Sequence, residues 1–512
     1  MMVLEQELSA QVDRCRLSPD APDLRAALAR MLLKTGRAAE ALQSAEIALA
    51  LEPGNTEAHT VQIEATAILQ AMDPALATLE LALVLRPDEL EPALELGHSY
   101  VELGRPIDAE RAFKHALAIV PQSAAAHAGL GALYLAAGID DGAEHHSRQA
   151  LRLKPGDAVA SQSLAAVLEA RGALAEARAV LDEAYSRESL FFERAAQARM
   201  TVLILATQSS GNVPYRNLMP PRLYSRLVWY MEHARLGQVQ AASPYDLVFN
   251  AIGDPDLAEP SADRVEAFLK TCLTPVLNRP DAVAGTRRDR LPDLLADLTD
   301  VLTPRAVRVR SGGGAALAAE AARAGLNTPL LVRPAGSHGG QGLVRADTLE
   351  GLRALGDAFA GAETHLTQFQ PYQSADGLYR KGRVIFIDRR PFPYHWAVSD
   401  HWLVHYDTAG MDGALPRQAE ERGFLEEPAR VTGARAWKAI EAIGERLDLD
   451  YAGLDFGLLP DGRVLVFEAN ATMLVHSEAE DGELAYKNAA VARIVEAFQA
   501  MLEARVAGAA GA

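Results

Sequence analysis

Along the first third of the chain, small and apolar residues recur with a fixed phase. Pro53, Pro87, Pro121 and Pro155 follow one another at a constant 34-residue period. Each closes a similar phrase of alanine and leucine, such as Ala48 to Glu52 and Ala150 to Lys154. Ala41, Ala75, Ala109, Ala143 and Ala177 keep the same phase, as do the turn positions Gly36, Gln70, Gly104, Gly138 and Gly172. The pattern predicts repeated helix pairs with small residues where helices cross and a proline after each second helix. One pair cannot bury its apolar stripe alone, so neighbours stack into a superhelix with a concave face. Met1 to about Ser18 reads as a capping helix.

The pattern changes near Arg199. Val202 to Thr207 is a buried-strand run, Leu223 to Arg235 reads as a helix, and Asp246 to Asp254 as a strand with a polar end. Strand, helix and strand predict a small parallel α/β unit with ligands at the strand carboxyl ends. Asn250 and Asp254 stand there, although turn formation accounts for them equally well. A helix carrying Arg287, Arg288 and Arg290 is expected next. Leu330 to Pro334, the glycine-rich Ala335 to Gly342, and Leu343 to Arg345 read as strand, flap and strand. Backbone amides of such a flap can lie over phosphates. Further strands follow at Thr364 to Tyr372 and at Val384 to Asp388, where a hairpin would present Arg380, Arg383 and either Arg389 or Arg390.

The last hairpin carries the sharpest chemistry. Asp461-Gly462 between apolar runs is a turn signal, and a two-residue loop there sets Asp455 opposite Glu468. Like charges facing each other destabilise a ladder. Asn470 is two residues further along and on the same face. Two carboxylates and an amide oxygen make an oxygen-rich set suited to Mg²⁺; an exposed acidic hairpin is the bland alternative.

At 512 residues the length suggests about three domains. The expected boundaries are 1–190 for the repeats, 198–300 for the α/β unit and 301–508 for the remainder. With 49% apolar residues the chain can build cores, yet it has no apolar run of the roughly 18 residues a membrane span needs. Only Cys15 and Cys272 occur, so neither a disulfide framework nor a cysteine metal site is expected. A cytoplasmic protein without a membrane partner is the expectation. The formal charge of −18 opposes general nucleic-acid binding.

Residues 22 to 187 resemble the tetratricopeptide repeat. Residues 200 to 505 resemble the ATP-grasp superfamily through Val332-Arg333-Pro334, the flap Gly336 to Gly342, the hinge Gln368-Phe369-Gln370 and the final Glu468-Ala469-Asn470. The branch of glutathione synthetase and the ribosomal-protein glutamate ligases is the nearest in pattern. The fold expected is therefore multidomain: an all-α tetratricopeptide superhelix, a small parallel α/β domain, and an α/β (α+β) ATP-grasp fold.

The resemblance implies ATP between two sheets, its adenine against Gln368, Phe369 and Gln370. Arg333 would contact the inner phosphates, with Arg290 a second contact. Ser337, Gly339, Gly340 and Gly342 of the flap would close over the outer phosphates. Asp455, Glu468 and Asn470 would hold one or two Mg²⁺, with Mn²⁺ as a substitute. Arg380 or Arg383 would meet the transferred phosphoryl group or the substrate carboxylate. Two departures stand out: arginine at 333 and 290 where lysine is usual, and Gln368 or Gln370 where an acid is usual.

The activity implied is ADP-forming ligation of a carboxylate to an amine, on a peptide, protein or amino-acid-derived substrate. The array would dock that peptide or protein, or else brace the chain or form a homodimer. His405 is a candidate for orienting or deprotonating the amine, with ordinary aromatic packing as the alternative. His476 and Glu478 sit where a substrate loop would begin, whereas Tyr486 and Lys487 read as surface or capping residues. Two other classes compete: a repeat adaptor that binds ATP without turnover, and a phosphotransferase.

Overall fold

The structure, a computed structural model, describes residues 2–71, 74–195, 197–208, 211–240, 242–336, 340, 342–479 and 482–510. The chain divides into two compact units, Met1–Arg187 and Glu188–Ala512.

The first unit is a succession of helices, from Met2–Leu17 to Leu174–Arg187. Helices Ala38–Leu51, Pro74–Leu85, Pro106–Ile119 and Asp140–Leu153 each stop shortly before a phased proline, as the steric restriction on a residue preceding proline requires. Ala41, Ala109, Ala143 and Ala177 are fully buried at the crossings. Gly36, Gly104, Gly138 and Gly172 take φ between +66° and +78°, the left-handed conformation that ends a helix at little cost for glycine. The fifth turn position, Gln70, lies inside helix Thr56–Ala71; without a glycine there the helix runs on. Phe113 packs against two bare glycine backbones. A Cβ on Gly97 or Gly129 would approach its ring to 2.4 or 2.6 Å.

Fourteen strands among the described residues build the second unit. The first sheet contains β1 (Leu190–Glu193), β2 (Met200–Ala206), β3 (Tyr224–Tyr230), β4 (Leu247–Asn250) and β5 (Val276–Leu277), in the order β1-β3-β2-β4-β5. All neighbours are parallel except β1 and β3. Thus the helix expected over Leu223 to Arg235 is instead the strand β3. It lies between β1 and β2 and is buried along nearly its whole length. Burial on both faces removes the alternation that marks a strand, and Val228, Trp229 and Tyr230 favour extended backbone.

The remaining strands are β6 (Val301–Leu302), β7 (Ala306–Arg310), β8 (Leu330–Pro334), β9 (Val344–Ala346), β10 (Glu363–Gln368), β11 (Tyr379–Ile387), β12 (Arg390–Ser399), β13 (Tyr451–Leu458) and β14 (Val464–Asn470). The second sheet, β7-β10-β8-β9, is antiparallel. Its β8 and β9 are the strands on either side of the glycine-rich segment. The third sheet has the order β12-β11-β13-β14-β6. One of its faces packs on helix Ala434–Leu447 through Val384, Phe386, Leu454 and Ile440.

The other face shares a core with the first sheet. Ile385, Ile387 and Tyr451 join Ile204, Phe249 and Phe498 of helix Asn488–Ala510 in one apolar cluster. This continuous core ties the first and third sheets together within the unit Glu188–Ala512, while the second sheet has a core of its own around Leu330, Val332 and Leu366.

Replacing Gly129 by Ala should push into the Phe113 ring and lower stability by about 1–3 kcal/mol, the usual cost of overpacking. Far-UV circular dichroism on heating should show an earlier loss of helix; an unchanged midpoint would mean the ring can swing aside.

Candidate active site

The acid hairpin forms, by a different route from the one its turn suggests. Next to the tip, Leu458 pairs with Val464 and Phe456 with Val466, a register one residue short of setting Asp455 against Glu468. A bulge that leaves Phe467 unpaired restores the offset, and Asp455 does face Glu468. Asn470 pairs with Gly453. Directly opposite Asp455 on its other side is Arg383 of β11, and beyond that His395 of β12. One row, His395–Arg383–Asp455–Glu468, therefore crosses four strands on one face.

Cations hold the two acids. Asp455 is fully buried; Arg383 reaches it as a fork, with Nη2 at 2.8 Å from Oδ2, and Lys381 Nζ lies 2.7 Å from the same oxygen. Glu468 Oε2 accepts a hydrogen bond from Arg288, and Arg333 Nη1 is 3.8 Å away. Burial pushes the Asp455 carboxyl up, but Arg383 and Lys381 more than reverse this and hold it far below the carboxylate range. Burial acts likewise on Glu468, which Arg288 and Arg333 bring down to about 2. Burial, then the neighbouring Arg288 charge, lowers Arg333 to about 10. His395, buried and beside Arg383, is held well below its ordinary value and stays neutral.

The second sheet contributes a matching row. Arg308, His365 and Arg333 are register partners across β7, β10 and β8. Asp256, just beyond β4, pairs with Arg308 at 2.9 Å and His365 at 3.2 Å. Between the second and third sheets is a cavity of about 130 Å³, lined by Arg288, Arg333, Lys381, Gln368, Phe369 and Gln370. At one end Phe369 meets Trp402 edge to face at 5.6 Å, and the Arg345 guanidinium covers the two rings at 4.9 and 5.2 Å. A flat heteroaromatic ring fits such a slot. The Gln368 side chain is not available there: it bonds the backbone of Asn327 and Pro329.

A second cavity, of about 390 Å³, adjoins the first. Lys381 lines both; Arg383, His405, His476, Glu478 and Lys487 also line the second.

Several expected site residues are placed elsewhere. Arg380 has the opposite strand parity to Lys381 and Arg383, so pleating turns it to the other face. There it pairs with Asp376 at 2.7 Å and with Glu420. Arg290, expected as a second contact to the inner phosphates, lines a separate cavity of about 650 Å³, whereas Arg288 reaches Glu468. The three arginines are not helical: helix Pro280–Gly285 ends before them, and from the turn that follows Arg287 and Arg290 both line that separate cavity while Arg288 reaches Glu468. Asn250 spends its side chain on Asn278 O and the Ile252 amide. Ser337 and Gly339 lie outside the described residues. Gly340 and Gly342 take φ of +78° and +65°, and a Cβ on Gly342 would come within 3.0 Å of Pro334. Lys487, expected at the surface, is 2% exposed, and Tyr486 donates to the buried Glu421.

Lys381 and Arg288 were not expected at the site. Lys381 had a signal: it stands two residues before Arg383 on the same strand and so shares its face. Arg288 had none that separates it from Arg287 and Arg290.

The donor set fits an oxygen-seeking dication in kind: two carboxylates and an amide on one face. In the present arrangement those oxygens serve the arginines and Lys381, while Asn470 Oδ1 accepts from the amide and hydroxyl of Thr472. Among the described residues, no cluster of three or more His, Cys, Asp or Glu side chains is placed to hold a metal.

No protein-family model matches the chain, and no curated protein matches it. Solved structures do. The RimK-domain ATP-grasp protein of Sphaerobacter thermophilus is 18% identical, over 58% of this chain and 98% of that one, with a TM-score of 0.35. Carboxyaminoimidazole ribonucleotide synthase of Aspergillus clavatus is 12% identical, over 58% and 77%, with a TM-score of 0.37. A tetratricopeptide-repeat protein of Thermus thermophilus is 27% identical, over 33% and 92%, with a TM-score of 0.21. All these scores are low, and the 34-residue repeat and the two facing sheets carry the fold. The chain is a helical array with a 34-residue repeat followed by an α/β unit of three sheets, and its likeness to these structures is one of fold. Among the described residues, no helix is long and apolar enough to cross a membrane.

The acid pair gives a sign to the pH dependence of stability. A carboxyl with a depressed folded pKa contributes stability that is complete above its unfolded pKa and is lost as pH falls through the folded one. For Glu468 that window runs from about pH 4 down to about 2. Glu468→Gln should flatten the acid slope of urea stability there. At neutral pH it should cost about 3 kcal/mol by leaving Arg288 with an uncompensated charge.

Proposed function

We propose that the second unit is an ATP-dependent carboxylate–amine ligase working through an acyl phosphate. The observation that carries this reading is the position of Lys381. It belongs to the walls of both the cleft between the sheets and the adjoining cavity, and it pairs with Asp455. A group seated in one cavity can therefore react with a group in the other under the same cation.

In this reading the aromatic slot at Phe369 and Trp402 takes the adenine, and Arg333 and Arg288 take the inner phosphates. The flap around Gly340 and Gly342 covers the outer ones, excluding water. The substrate carboxylate oxygen attacks the γ-phosphorus; its new P–O bond forms as the bond to ADP breaks. Lys381 and Arg383 offset the charge on the moving group, where preorganised cations act most strongly. An amine then forms a C–N bond to the acyl carbon, phosphate leaves with the C–O electrons, and the amine proton is lost. Magnesium, held by Asp455, Glu468 and Asn470, would shield the terminal phosphates. For it to bind, Arg383 and Arg288 must hand over part of their hold on the acids, a step that nucleotide phosphates can drive by drawing the guanidinium groups to themselves. The array would dock a peptide or protein partner in a reducing cytoplasm.

A second reading has one observation behind it. The acids are already saturated by four cations, as suits an adaptor that binds nucleotide without turnover.

Product analysis separates the two. Incubated with Mg-ATP, pooled amino acids and a peptide extract, the chain should release ADP and phosphate in a substrate-dependent way. Glu468→Gln, assayed below its own unfolding midpoint, should lower that rate by about 100-fold or more. AMP and pyrophosphate would exclude the acyl phosphate, a stable phosphoester would indicate a phosphotransferase, and nucleotide binding without product would favour the adaptor.

A further inference from the structure

The array holds a cavity of about 280 Å³ that the ligase chemistry does not use. Helices Ala38–Leu51, Pro74–Leu85 and Pro106–Ile119 wall it, together with Leu96 and Tyr100 of helix Leu90–Glu102. Glu80 lines this cavity and is 8% exposed, although its counterparts one period away on either side, Glu46 and Lys114, lie at the surface. It accepts a hydrogen bond from the buried Tyr100 hydroxyl, and among the described residues no cation pairs with it. The cations along the same walls are committed elsewhere, Arg37 to Glu40 and Arg111 to Asp108, while His115 donates to the Pro87 carbonyl. Burial pushes the Glu80 carboxyl up, by more than the Tyr100 hydrogen bond and the charges of Arg105 and Arg111 bring it down.

The next repeat shows what completes such a pair. Tyr134, one period after Tyr100, donates to Glu110 Oε1 at 2.7 Å, and Lys114 Nζ stands 2.7 Å from the same oxygen. Lys114 first, then Tyr134, draws the Glu110 carboxyl below its ordinary value. In the earlier repeat the carboxylate of Glu80 takes the lysine's own position in the period, and Leu76 stands where Glu110 does. The tyrosine and the carboxylate are thus paired there with no ammonium from the array to join them. We propose that this cavity binds a primary alkylammonium group, which rests on Glu80 while its methylenes lie along Leu83, Val84 and Leu96. Its volume is just under the range of roughly 300–1,000 Å³ typical of small-ligand pockets, which suits one unbranched amine. A lysine side chain of a docked protein and a small free amine share this chemistry. The first source rests on the docking role proposed for the array; the site itself lies within the array and does not depend on the ligase reading.

The full chain is titrated by calorimetry with pentylamine and with a capped pentapeptide of four alanines around one lysine. Each probe is also used with its amine acetylated. At least one amine should bind, and its acetylated form should bind at least about tenfold more weakly, the loss expected for a charged hydrogen bond. Glu80→Gln keeps an oxygen for the Tyr100 hydroxyl and removes the charge. It should weaken the amine about as much while leaving the far-UV spectrum unchanged. If that variant fails to fold, Glu80→Met with Tyr100→Phe replaces both partners by apolar groups, the change a buried hydrogen bond tolerates best. The double variant should lose the amine as well. Binding of the peptide would assign the site to a partner's lysine, and binding of pentylamine alone to a small free amine. The proposal is overturned if neither amine binds, if amine and amide bind equally, or if the Glu80 variants keep wild-type affinity. None of these outcomes bears on ADP release by the second unit, so the two readings stand or fall separately.

Discussion

Everything in the second unit that bears on chemistry depends on keeping Asp455 and Glu468 ionised side by side inside the protein. Two buried carboxylates on facing strands repel, and burial alone would protonate at least one of them. Four cations prevent that, and they come from separate parts of the chain: Lys381 and Arg383 from β11, Arg333 from β8, and Arg288 from the turn after helix Pro280–Gly285. The second and third sheets must face each other, and the 286–290 turn must reach between them, for all four to arrive. The placement of the sheets and the charge state of the acids are thus one constraint.

The same constraint explains the position of the cleft. The cations that quiet the acids also line the space between the sheets, so that space is electropositive next to its two anions. An incoming polyphosphate meets guanidinium groups already ordered by ion pairs, and little side-chain entropy remains to be lost on binding. The shared core beneath the first and third sheets keeps the 253–256 segment in reach of Arg308 and His365, which ties the outer row to the same body.

Much of this was legible in the residues, for physical reasons that differ from element to element. The repeat was plain because period, proline and small-residue phase agree over successive copies, and only the Gln70 turn, lacking glycine, departs. The opposition of Asp455 and Glu468 emerged correctly although the loop length was wrong, because the bulge at Phe467 supplied the missing residue. Strand β3 was hidden by burial on both faces, which leaves no period of two to read. Arg288 and Arg290 could not be told apart because their directions are set by a turn rather than by a helix. Lys487 departs from the surface or capping position expected of it, since nothing local marks a lysine that will be buried against Tyr406 and paired with Glu478.

The core shared by the first and third sheets also sets an order of events during synthesis. Each repeat of the array needs only its neighbour and can fold as it leaves the ribosome. Strands β2 and β4 are made long before helix Asn488–Ala510, yet Ile204 and Phe249 bury themselves in the cluster that holds Phe498 of that helix. Until it emerges, the apolar underside of the first sheet stays open to solvent. The nascent second unit therefore keeps this apolar surface uncovered until that helix is made, while the array ahead of it can already be folded.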